Sequence, residues 1–179
     1  YILLKEEFFM EKNMKINFEY LDKRVLDSLE RTDLEKIRYE LSKINTPTIL
    51  SGVGGSSVVS EFGKHILETT NGIITLNSEP RDFIYRNNNG FSNVIACSYS
   101  GNNYGVELSF NNNLKKYLLS NNSYDDETIT YLQYLTSIDK ERSFISLGAT
   151  LIPVTIFLDY YLNGSHQAIK ELLHSSSLV

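Results

Sequence analysis

The sequence predicts an α/β protein whose parallel sheet is covered by helices on both faces. Three observations point there. From about residue 46 onward, short apolar runs suited to buried strands alternate with stretches of helical periodicity. Two of those runs, Thr48-Ile49-Leu50 and Val94-Ile95-Ala96-Cys97, stop abruptly in small hydroxyl-rich loops, Ser51–Ser57 and Ser98–Asn103. The most apolar stretch, Phe144–Leu158, is too short to span a bilayer and holds Ser146, Thr150, Pro153 and Thr155, as a buried helix can.

The elements follow in order. Residues 16–44 read as helix, because Leu21, Val25 and Leu29 recur four apart and Leu34, Ile37, Leu41 and Ile44 recur three or four apart. Within this lead, Thr32 and Glu35 form a Thr-x-x-Glu capping box that starts a second helix. Pro47 ends the helical pattern and opens a first strand at 48–51. A helix is expected over 56–70, with Val58, Val59, Phe62, Ile66 and Leu67 on one face. Strand two is expected over Gly72–Leu76, a short helix at Pro80–Tyr85, and strand three over Asn93–Cys97. A compact helix at Tyr104–Phe110 leads to strand four over Lys116–Leu119, and strand five falls at Thr128–Leu135. A long apolar helix from Glu141 to Leu162 and an amphipathic one from His166 to Leu173 complete the chain. The long helix is apolar nearly all round, which predicts burial, partly in a dimer interface. The division expected is a helical segment over 1–45 and an α/β domain over 46–179.

Composition narrows the function. The 179 residues carry a net charge of −5, which argues against a general nucleic-acid binder. The lone Cys97 lies in an apolar run, so a disulfide framework is excluded and a reducing cytoplasm is the expected setting. The first residues lack the basic start and apolar stretch of a signal peptide, and no membrane partner is expected. No His, Cys, Asp or Glu pair has metal-ligand spacing, and neither a metal nor a cofactor is implied.

The two loops carry the chemistry. Gly52-Val53-Gly54-Gly55-Ser56-Ser57 lies between a strand and a helix. Its glycines let backbone approach a ligand closely, and a helix start favours an anion. Ser56 and Ser57 add hydroxyl donors, and one of them is expected to cap the helix. A dinucleotide site is the rival reading, but the pattern is Gly-x-Gly-x-x-Ser, and Glu79 falls late for the ribose-binding acid. Ser98-Tyr99-Ser100-Gly101 is not a nucleophile elbow, which needs glycine at position 98. Ser98, Ser100, Gly101 and Asn103 are instead placed to encircle an anion. Neither loop has Lys or Arg, so hydroxyls, amides and the helix dipole would hold a phosphate.

These two loops, with Glu141 opening the last helix of the sheet domain, resemble the SIS (sugar isomerase) family of phosphosugar-binding domains over about residues 46–162. The resemblance implies a three-layer α/β/α sandwich, Rossmann- or flavodoxin-like, with a five-stranded parallel sheet and an N-terminal helical lead. It also implies a sugar-phosphate ligand, an aldose or ketose phosphate that is often an amino sugar, and a homodimer. The family usually reads Ser-x-Ser-Gly-Glu-Thr where this chain has Asn102 and Asn103.

Aldose–ketose isomerisation needs a base near neutral pKa and a group that shuttles a hydroxyl proton. By resemblance Glu141 matches the position of a catalytic carboxylate, although Leu147 and Gly148 replace the hydroxyl and cation that follow it in related isomerase domains. Its other reading is a helix-start acid. Glu79, after strand two, is the second candidate, or else a solvated loop acid. His65 reads as a helix-surface residue, whereas His166 or His174 could reach a site from another segment or subunit. Two functions stand: a sugar-phosphate isomerase or deglycase, and a non-catalytic phosphosugar sensor or degenerate module acting with a partner.

Overall fold

The computed structural model describes residues 21–136 and 147–176. Glu141 and the start of the long apolar helix lie outside them. Helices α1 (Leu21–Arg31) and α2 (Leu34–Ser42) precede β1 (Thr48–Ser51), α3 (Gly55–Asn71) and β2 (Thr75–Ser78). A 3-10 turn, Pro80–Ile84, leads to β3 (Asn93–Cys97), α4 (Tyr104–Phe110), β4 (Lys115–Ser120) and β5 (Ile129–Gln133). Helices α5 (Leu147–Tyr161) and α6 (His166–Ser176) follow.

The five strands form one sheet in the order β2-β1-β3-β4-β5, every pair parallel. Chain connections run outward in opposite directions from β1 and β3, so the topological switch point lies between them. Open α/β sheets bind ligands there, beyond the carboxyl ends of the strands.

Side chains alternate across the sheet because the strand period is two. Leu50, Ile95, Cys97, Tyr117, Leu119 and Leu132 face one core, shared with Val25 and Leu29 of α1, Ile37 and Leu41 of α2, and Ile156 and Phe157 of α5. Ile49, Val94, Ala96 and Leu118 face the other side, against Phe83 and Val106. The N-terminal helices thus share the sheet's principal core. Helix α5 buries Ile152, Thr155, Ile156 and Phe157 within the single chain, which accounts for much of its all-round apolar character.

Several sequence expectations shift. The helical lead divides into α1 and α2 where the sequence expects a second helix to start, but the cap differs. Asp33, not Thr32, caps α2, its carboxylate accepting from the Lys36 amide at 3.0 Å. The Thr32 hydroxyl donates to the Ser28 carbonyl and accepts from the Leu135 amide, tying α1 to the end of β5. Asp33→Ala should therefore cost about 1 kcal/mol, read as a lower urea midpoint at unchanged slope. Strand β2 begins at Thr75 rather than Gly72, because Gly72 closes α3 and Ile74 is 70% exposed. Val58 also faces solvent, since the buried stripe of α3 runs through Val59, Gly63, Ile66 and Leu67. β3 and α4 fall where the sequence puts them.

A buried ion pair links the layers. Arg38 of α2 donates to the Asp159 carboxylate of α5 at 2.6 Å, with Asp159 shut from solvent. The other Asp159 oxygen has no hydrogen-bond partner among the described residues and lies 3.5 Å from Nδ1 of His166.

Candidate functional site

The site is built where β1 and β3 leave the sheet. Ser51 ends β1 and is buried. At Gly52 a Cβ would overlap the backbone carbonyl of Ser56, so only glycine lets the chain turn this tightly into α3. Gly54 has φ 60° and ψ −126°, a conformation in which glycine is favoured. No side chain caps the start of α3, contrary to the expectation that a serine would. The amides of Ser56 and Ser57 turn back to the carbonyls of Val53 and Gly54. Among the described residues, no partner engages the amides of Gly54 and Gly55 or the hydroxyls of Ser56 and Ser57. A helix start with open amides and two hydroxyls beside it is a ready anion site.

The second loop is held by its own side chains. The Ser98 hydroxyl oxygen accepts from the Gly101 amide at 3.1 Å and from Nδ2 of Asn103 at 2.8 Å. Oδ1 of Asn103 accepts from the Val106 amide and so caps α4. The Ser100 carbonyl accepts from Nδ2 of Asn122 and from the Tyr124 hydroxyl. Its own half-buried hydroxyl has no partner among the described residues. Gly101, at φ +73°, lies against Ser120 and Tyr124, where a Cβ would be crowded. Ser98 and Asn103 therefore shape the loop, and Ser100 presents the hydroxyl that is open to a ligand.

Between the loops is a small cleft of about 40 Å³, lined among others by Gly52, Ser56, Pro80, Cys97, Asn103 and Ser109. One water needs about 10–15 Å³, so a small polar group fits. Of the residues singled out in the sequence, Gly52, Ser56 and Asn103 meet at this cleft. Gly54, Ser57, Ser98, Ser100 and Gly101 belong to the flanking loops and do not line it. Glu79 is exposed at the end of β2, one residue before Pro80. Thr150, on the first turn of α5, sits against Gly55, so α5 begins beside the first loop.

Three features escaped the sequence analysis. Ser51 and Ser109, both buried cleft residues, are joined hydroxyl to hydroxyl at 2.9 Å across 58 positions. Cys97 lines the cleft, but burial pushes its thiol up to about 12, so it is protonated and inert at neutral pH. Arg86 donates to the buried Ser78 hydroxyl at 2.8 Å and lies 3.5 Å from Asp82, which puts a cation near the ligand edge at the end of β2. Its eight-residue distance from Ser78, across the 3-10 turn, gave no local signal. Among the described residues no cluster of His, Cys, Asp or Glu could hold a metal ion.

No protein-family model matches the chain, and no curated protein matches it in sequence. Solved structures do match. A candidate sugar-phosphate isomerase from Listeria monocytogenes aligns over 90% of this chain and 93% of its own, at 13% identity and a TM-score of 0.67. The Vibrio vulnificus NanR protein, complexed with ManNAc-6P, aligns over 92% of this chain and 67% of its own, at 14% identity and a TM-score of 0.64. The C-terminal domain of glucosamine-fructose-6-phosphate aminotransferase from Francisella tularensis aligns at 18% identity and 0.62, and this chain spans about half of it (52%). At these identities the likeness is one of fold. The chain has the fold of the sugar isomerase (SIS) domain, as the two loops implied.

Proposed function

We propose that the chain binds a sugar phosphate at the switch point between β1 and β3. The observation that carries this reading is the uncapped start of α3. Its open amides and the unpartnered Ser57 hydroxyl adjoin a cleft that is lined by Ser56 and by Asn103 of the second loop and has no charged side chain in its lining. The phosphate is held by Ser56, Ser57, Ser100 and the open amides of Gly54 and Gly55, with Gly52 and Gly101 setting the two loop turns. Ser98 and Asn103 keep the second loop in register. The sugar ring points outward, toward Glu79. That NanR was solved with a phosphosugar bound supports the ligand class.

Glu141 is the base in this reading, with Glu79 handling a substrate hydroxyl, and the reaction is an isomerisation or deglycation of an amino-sugar or ketose phosphate. The placement of α5 beside the first loop supports it, because Glu141 lies a few residues before Leu147 in the sequence. A non-catalytic sensor is the second reading. It is favoured by the absence, among the cleft's described residues, of any group that titrates near neutrality. The protein works as a cytoplasmic homodimer in either case. No described helix is long and apolar enough to cross a membrane.

The test is thermal stabilisation by a panel of hexose, pentose and amino-sugar phosphates. Ligand at a hundred times its Kd should add about 2.7 kcal/mol. Ser56→Ala/Ser57→Ala and Ser100→Ala should each lower affinity about tenfold or more, while Glu141→Gln should keep the stabilisation and lose any turnover. Turnover absent from wild type but stabilisation present selects the sensor. No stabilisation by any member of the panel sinks the binding site itself.

A further inference from the structure

Every parallel connection in this sheet carries a helix or helical turn except one. The link from β4 to β5, residues 121–128, is a bare loop. Parallel strands are ordinarily joined by a crossover helix that covers the sheet, and such sheets are buried on both faces. Here α4 packs on β3 but leaves the outer part of the same face open. A groove of about 660 Å³ remains, floored by Leu118, Ile129 and Tyr131 and walled by Phe110, Tyr104 and Tyr124. Tyr104 is 68% exposed and Tyr124 40%.

The groove is also acidic. Glu107 and Asp126 line it, and the exposed Asp125 and Glu127 flank Asp126. The one cation in the lining is Lys116, which lies over the Phe110 ring. The Tyr131 hydroxyl is shielded from water with no hydrogen-bond partner among the described residues. Burial first, and then the charge of Asp126, hold its phenol above the ordinary value.

We infer that this groove docks a basic amphipathic helix of a partner protein, which occupies in trans the place of the missing crossover helix. Apolar side chains on one face of the partner fill the space over Leu118, Ile129 and Tyr131, and its Lys or Arg residues meet Glu107, Asp125, Asp126 and Glu127. This is the helix-in-groove mode of recognition. It adjoins the sugar-phosphate site, since Gly101 and Asn103 of the second loop also line the groove, but Tyr104, Glu107 and Asp126 do not line the cleft, so their variants test the groove alone.

The test uses the full chain and a fluorescent 14-residue Leu/Lys peptide patterned as an amphipathic helix. The controls are a scrambled peptide of the same composition and spermine. Expected are saturable one-to-one binding, slower amide exchange over 116–131, and at least tenfold weaker binding by Glu107→Lys/Asp126→Lys. Tyr104→Ala should also weaken it, and these rim positions are exposed enough to change without unfolding the sheet. The inference is overturned if the amphipathic peptide does not bind, or if the scrambled peptide or spermine binds equally well. It also fails if the rim variants bind like wild type. Strong exchange protection of the groove before any peptide is added would mean that the chain covers it itself, which likewise overturns it.

Discussion

Arg38→Met should lower the unfolding free energy by about 3 kcal/mol and the melting temperature by on the order of 10 °C. The substitution keeps most of the side-chain stem but strands the Asp159 carboxylate, which is only 1% exposed. Taking away one member of a buried pair leaves an uncompensated charge in a low-dielectric interior, and that penalty exceeds what the pair contributed over an apolar replacement. The lower end of the usual range applies, because Arg38 is 23% exposed and water can approach the gap. His166, 3.5 Å away, can reorient toward the carboxylate but sits half in solvent. The double variant Arg38→Met/Asp159→Leu removes both charges and should recover most of the loss. Chemical denaturation of the wild type, the single variant and the double variant decides the matter. A single variant within about 1 kcal/mol of wild type would show that the carboxylate is solvated some other way. A double variant no better than the single would assign the loss to packing instead.

The second large effect is on binding. Gly52→Ala introduces a methyl group where the Ser56 carbonyl already lies, within the first turn of α3. Backbone on both sides must move, because no flexible side chain can yield. The start of α3 then shifts relative to the Ser98–Asn103 loop, and the cleft between them changes shape. Sugar-phosphate affinity should fall by a hundredfold or more, with stability lower by about 1–3 kcal/mol. Gly54→Ala is the comparison. No atom lies within 4 Å of its added Cβ, so its cost comes from backbone conformation, about 1–3 kcal/mol, with the cleft lining unchanged. Isothermal titration with the best ligand of the panel separates the two. Equal loss of affinity in both variants would mean that the loop acts through its flexibility rather than its shape.

What was legible in the sequence was local. The limits of β3 and α4 could be read because each boundary is marked by neighbours: an apolar run ending in serines, then Asn103 ahead of a helix. The first loop could be read for the same reason, since Gly52 answers to Ser56, four residues on. Errors arose where two local signals competed. Thr32 and Asp33 are both good caps, and the choice fell to Asp33 because the Leu135 amide, 103 residues away, engages Thr32. Val58 belongs to the apolar pattern of α3 but lies outside the stripe that meets the sheet.

By itself, then, the sequence determined the α/β class, the strand-to-helix alternation and the two loops, because period and turn chemistry act over a few residues. Only the tertiary structure decided which hydroxyls are open. Ser98 and Asn103 turn inward to build their loop, while Ser56, Ser57 and Ser100 stay available. It also decided the Arg38–Asp159 pair, 121 residues apart, and the Ser51–Ser109 contact beneath the cleft. Those depend on which faces meet when the sheet closes over its helices, and no short-range pattern encodes that meeting.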